Sequence, residues 1–243
     1  MGTFFDTIVL IAKIFAVAFV LFFAIIAAVG IVQMPLTRRK WKKFAADIDS
    51  DFGSVFDWQE GRIPYVRTRY GNWALMLYAR RKGGDDPDRD TCLTAPYVAM
   101  GEPASLWTRP KMGRVAEKII DSTSGLFRVH QDDRVITQWP DLEAVRHTYA
   151  RDAVNASLAR RFLEDDKIRD ILCRNKDITL TLDANVLRSR IRQLLFPNLP
   201  ENAGMLTICR RNLVRDTEKL GEMFLLASLA LDQLDVLGEI KGE

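Results

Sequence analysis

The chain opens on one long apolar run and then breaks into short stretches of two different periods. Ile14 to Val32 is nineteen consecutive apolar residues without a charge or a proline. As a helix rising about 1.5 Å per residue, it is long enough to cross most of the ~30 Å hydrocarbon layer of a bilayer. A core helix of a globular domain shows a polar stripe, and this segment has none. The pattern predicts one transmembrane helix. The leader Met1 to Asp6 carries no basic residue and Lys13 arrives late. A cleaved signal peptide has a basic n-region and a shorter apolar core, so the run reads as a retained span.

Beyond it the periods shorten. Phe44 to Trp58 mixes acidic and aromatic residues and reads as a short connecting helix or stalk. Ile63 to Arg69 and Trp73 to Arg80 flank Gly71-Asn72, a two-residue hairpin turn. Lys82 to Asp90 is a polar loop. Strands are expected at Thr91 to Met100 and Ala104 to Thr108, and a second pair at Leu126 to Val129 and Val135 to Trp139. Helical spacing follows Pro140, over Leu142 to His147 and then from about Asp152 to Cys173. Asp177 to Leu182 alternates as a strand, with a partner near Val186 to Arg192 and another short strand at Met205 to Cys209. The last helix, Arg215 to Leu237, spaces Leu220, Met223, Phe224, Ala227, Leu231 and Leu234 along one face. Its Glu222 and Asp232 exclude a second membrane span.

The predicted fold is α+β: an N-terminal transmembrane helix followed by a single cytoplasmic domain of antiparallel hairpins and packed helices. Residues 1–36 form the anchor, 37–60 a basic juxtamembrane segment and connecting stalk, and 61–243 the soluble domain.

Charge sets the orientation. Arg38, Arg39, Lys40, Lys42 and Lys43 crowd the C-terminal flank of the apolar run, with Trp41 among them. The positive-inside rule places the N-terminus outside and the large C-terminal part in the cytoplasm, at a plasma (bacterial inner) membrane. Basic residues there also attract anionic headgroups, at about 1 kcal/mol each, and Trp41 fits an interfacial anchor. Arg38, Arg39, Lys40, Trp41, Lys42 and Lys43 are therefore the expected lipid contacts. The chain holds 35 Lys plus Arg and 32 Asp plus Glu. Setting aside Lys13, the five basic residues of the block and Asp6 leaves 29 basic against 31 acidic residues. The domain is near neutral, which argues against a nucleic-acid partner.

Cys92, Cys173 and Cys209 are far apart and odd in number, which suggests neither a disulfide framework nor a zinc site and agrees with a reducing compartment. Asp51-Phe52-Gly53 spells a kinase metal-binding tripeptide, yet no glycine-rich loop precedes it and the chain order is wrong. Asp86, Asp88 and Asp90 alternate like a calcium loop that lacks its glycine and closing glutamate. His130 and His147 share no helical spacing with another ligand. No phosphate-binding or dinucleotide motif occurs, so neither a metal nor a cofactor is expected.

What remains is a density of aromatics and arginines, Trp58, Arg62, Tyr65, Arg67, Tyr70 and Trp73. These types are favoured at protein interfaces, and equally on pleated strands. They are the candidate partner surface.

The organisation resembles uncharacterised bacterial membrane-anchored α+β domains. In these a Gly-Arg hairpin opens a strand-rich half, and a strand ending in an aromatic-x-Val with an acidic pair leads into a helix, a hairpin and a closing helix. Phe127-Arg128-Val129 with Asp132-Asp133, or Tyr149-Ala150-Arg151-Asp152, matches the middle part. Ile178 to Leu182 and Glu218 to Leu231 match the later ones, within Gly61 to Leu237. The resemblance implies no catalytic residue.

The function expected is an accessory or scaffold protein that binds a protein partner, or another copy of itself, at the membrane. The alternatives are a membrane-surface enzyme whose pocket gathers His147, Asp152 or Glu164, and a sensor of anionic lipid surfaces.

Overall fold

Gly71 and Asn72 turn the chain between β2 (Gly61–Tyr70) and β3 (Trp73–Arg81), with Tyr70 directly opposite Trp73. Gly71 sits at a φ of 53°, the left-handed conformation that such a tight turn requires. The hairpin belongs to a computed structural model of the chain that describes residues 19, 34–57, 61–81, 89–101, 103–111, 134–136, 138–183, 194–200 and 202–241. The chain divides into two units, Met1–Lys40 and Trp41–Glu243. The apolar run Ile14 to Val32 lies outside the described residues except for Phe19, as do Trp58, Leu126 to Val129 and Val186 to Arg192. No helix among the described residues is long and apolar enough to cross a membrane.

The second unit is α+β and built on one antiparallel sheet. Its remaining strands are β1 (Asp51–Asp57), β4 (Arg89–Ala99), β5 (Leu106–Pro110), β6 (Arg134–Ile136), β7 (Arg146–Ala150), β8 (Ile178–Asp183), β9 (Ala203–Arg210) and β10 (Ile240–Lys241). They lie in the order β1-β2-β3-β4-β9-β8-β5-β7-β6, and β10 pairs with β4. The helices are α1 (residues 34–47), α2 (Pro140–Val145), α3 (Ala153–Phe162), α4 (Asp166–Arg174) and α5 (Thr217–Val236).

Alternation along the strands separates two faces. Val66, Leu77, Leu93, Ile208, Leu180, Leu106 and Ala150 point to one side and form the main core with the buried faces of the helices. We call this the helix face. The central strand β9 is buried along its whole length, which makes it the spine of the fold. Toward this core, α1 turns Trp41, Phe44 and Ala45 inward. The Trp41 indole donates to the Val214 carbonyl at 2.8 Å, and the Phe44 ring lies 5.6 Å from that of Phe224 on α5.

Arg146 is the most buried charge on the helix face, 1% exposed. Its guanidinium donates to the carbonyls of Leu172 at 2.5 Å, Ile178 at 2.7 Å, and Asn175. These oxygens end α4 and begin β8, where a helix leaves its last carbonyls unsatisfied. Burial pushes the guanidinium's pKa down to about 10. Arg210 works beside it, donating to Asp177 at 2.7 Å, Asn175 at 2.5 Å and Glu222 at 3.3 Å. Together the two arginines fasten the α4–β8 turn to β9 and α5.

Several expectations need correction. Residues 51–57, read as part of a stalk, are the edge strand β1. The helix after Pro140 ends at Val145, and Arg146 and His147 begin a strand. Asp152 to Cys173 is two helices, because Asp165 accepts from the Ile168 N–H at 2.9 Å and caps a new start. Cys92 and Cys209 face each other across β4 and β9 and are joined as a disulfide, while Cys173 is a free thiol.

Candidate functional site

Among the described residues, a segment lies over one half of the sheet's second face and no helix lies over the other half. Over β2, β3, β4 and β9, the segment 194–200 lays Leu195 and Phe196 on a satellite core of Ile63, Met76, Tyr78 and the Cys92–Cys209 disulfide. Over β5, β7 and β6, no described helix packs on this side, since α1 to α5 bury their apolar residues in the main core.

The half over β5, β7 and β6 is built by alternation. Leu106 and Thr108 of β5 point into the helix face, so Trp107 and Arg109 point away from it. In β7 the same period sends Arg146, Thr148 and Ala150 inward and leaves His147 and Tyr149 outward. Register then aligns the outward sets, Trp107 opposite Tyr149 and Arg109 opposite His147. The Trp107 and Tyr149 rings stack at 5.4 Å with 15° between their planes. Arg109 lies 4.8 Å above the Tyr149 ring and donates to its hydroxyl at 2.7 Å. His147 leans on the same ring at 6.0 Å. Val135 of β6, opposite Tyr149 on the outer side, is 53% exposed.

All four of these cluster residues are half-buried. The arrangement is an amphipathic platform: two stacked rings for apolar or planar contact, with the Arg109 guanidinium on one of them and His147 alongside. Trp, Tyr and Arg are the residue types enriched at the energetic centres of protein interfaces.

The residues singled out from the sequence are distributed differently. Trp73 is only 9% exposed and belongs to the main core. Tyr65 packs against the satellite core over Gly53, where an added Cβ would meet its ring at 2.5 Å. Tyr70 is 37% exposed and donates to Asp232 of α5 at 2.7 Å, tying the hairpin to that helix. Arg62 and Arg67 are exposed and, by strand parity, belong to opposite faces. Trp58 lies outside the described residues.

In the basic block, Arg39, Lys40, Lys42 and Lys43 are exposed and Arg38 is half-buried. Trp41 is fully buried, so its indole is spent on the domain rather than on an interface with lipid.

The residues of an enzyme reading do not converge. Asp152 is the N-cap of α3, accepting from the Asn155 N–H at 2.8 Å. That bond, with smaller help from the Asn155 side chain and Arg151, holds its carboxyl below the usual range. Glu164 is exposed in the turn after α3, and His147 lies half-buried on the second face of the sheet. Among the described residues no three His, Cys, Asp or Glu side chains could share a metal ion.

Sequence reasoning missed the platform because Leu142 to His147 imitates a helix. The usable signal was the matched alternation of Leu106-Trp107-Thr108-Arg109 and Arg146-His147-Thr148-Tyr149. No protein-family model matches the chain, and neither the curated proteins nor the solved structures contain a match.

Proposed function

We propose that this chain is a single-pass membrane-anchored accessory protein whose α+β domain recognises a protein partner through the Trp107–Arg109–His147–Tyr149 platform. Ile14 to Val32 is the span, and the basic block from Arg38 to Lys43 borders it on the cytoplasmic side. The observation that carries the reading is the stacked aromatic pair with its arginine on a sheet face that no described helix covers. Purification of the full chain from its own membranes in mild detergent tests it. Wild type retains a stoichiometric partner, and Trp107→Ala/Tyr149→Ala loses it while still unfolding cooperatively. A solitary monomer in both cases overturns the proposal.

Orientation has its own test. Flanking charge favours the cytoplasm, whereas disulfides persist mainly outside it. A domain facing a reducing cytoplasm holds Cys92 and Cys209 as thiols at rest. Acid-quenched alkylation in intact cells therefore finds both sulfurs modified. A pair that resists alkylation until reduced places the domain on the opposite side of the membrane.

A further inference from the structure

The covered half of the same face holds a cavity of about 430 Å³ between the sheet and the segment 194–200. Pockets of roughly 300 to 1,000 Å³ are the range that small molecules occupy. Its lining is mixed: Pro96 and Val98 from β4 and Phe196 and Pro197 from the covering segment supply an apolar side, and Asn72 and Asn198 add amides. Its rim is cationic: Arg67 and Arg69, two apart on β2, project to the same side and both line it. Both arginines are exposed. Neither makes an ion pair among the described residues. Asp51 is the register neighbour of Arg67 on β1 without forming a salt bridge to it.

A cavity with one apolar side and two uncommitted guanidiniums beside it discriminates by chemistry. A neutral apolar molecule leaves the arginines unused. A bare inorganic anion leaves the chamber unfilled. A small molecule with one carboxylate and an apolar body satisfies both, since a guanidinium offers paired donors that match a carboxylate's two oxygens. We infer that this cavity is a binding site for a small amphiphilic monocarboxylate, its head on Arg67 and Arg69 and its body against Phe196 and Pro96. The site lies over β2 to β4 and β9, away from the Trp107 platform, and the inference does not depend on the partner proposed there.

Saturation-transfer NMR on the full chain in lipid nanodiscs tests it, with 4-phenylbutyrate as probe and empty nanodiscs as blank. Signal reaches the phenyl and methylene protons of the acid, and the isosteric 4-phenylbutanol gives at least about tenfold weaker binding. Arg67→Ala/Arg69→Ala weakens the acid about tenfold or more, the scale of losing charge-assisted hydrogen bonds, while its melting temperature is unchanged. Phe196→Ala reduces transfer to the phenyl ring. Equal binding of the alcohol, or an acid affinity unaffected in the double variant, overturns the inference. So does inorganic phosphate binding as tightly as the acid, because the chamber then contributes nothing.

Discussion

Arg146 and Arg109 stand on neighbouring strands of one sheet and have opposite fates. Arg146 points into the helix face, where its guanidinium is consumed by main-chain oxygens at the end of α4 and the start of β8. Arg109 points the other way and rests half-buried on the Tyr149 ring. The residues between these faces differ by one position in register, which is all a strand needs to turn a structural charge into an available one. A buried arginine whose donors are satisfied by backbone carbonyls is part of the fold. A half-exposed one stacked on an aromatic ring still has donors to offer a partner.

Removing each side chain breaks the comparison in a different way. Arg146→Ala leaves three buried carbonyls without their donor, and the expected loss is about 3–5 kcal/mol. Urea unfolding of the full chain, followed by tryptophan fluorescence, measures it. A loss under about 1 kcal/mol would mean that water or repacking replaces the guanidinium.

Gly204→Ala comes next. Its Cβ would lie 2.3 Å from the ring of Tyr97, which is only 3% exposed and has little room to move. Overpacking of this kind costs about 1–3 kcal/mol. The equivalent change at Gly53 meets the half-buried Tyr65, so it should cost less. The difference between the two melting temperatures is the readout, and equal shifts would show that burial of the ring does not set the cost.

Tyr149→Ala on the second face should change stability by less than about 1 kcal/mol, the range of surface positions, while abolishing partner retention. A large loss of stability would move the platform to the structural side of the comparison.

The smallest effect is that of Asp152. Its folded-state pKa lies below the ordinary value, so its contribution to stability is complete above pH 4 or so and is lost as pH falls through the lowered value. An NMR titration of the carboxyl should therefore find a midpoint below that of Asp in an unfolded chain. A midpoint above it would return the group to consideration as an acid catalyst.

Where one face is core and the other is not, the sequence was readable. Ile178 to Asp183 alternates buried and half-buried along its length, and the apolar letters alternate with it. The Gly71-Asn72 turn and the stripe of α5 were legible for equally local reasons. The errors share a cause in signals that outlast the element. Leu142 and Val145 keep helical spacing up to Arg146, where the backbone becomes extended. Asp165 restarts a helix within what reads as one pattern.

The disulfide was invisible for another reason. Its two cysteines are 117 positions apart, and only the β4–β9 pairing makes them neighbours. The platform combines both difficulties. It needs β7 to be recognised as a strand and then the long-range register that sets Tyr149 beside Trp107.

The most direct test of the platform face compares two exposed positions. Val135 lies on it beside Tyr149, and Val154 lies on α3 with 79% exposure. A photo-crosslinking amino acid placed at each position in the full chain, in its own membranes, reports what touches them. The account predicts a discrete adduct from position 135 that Trp107→Ala abolishes, and none from position 154. No adduct from 135, or the same adduct from both, would contradict it.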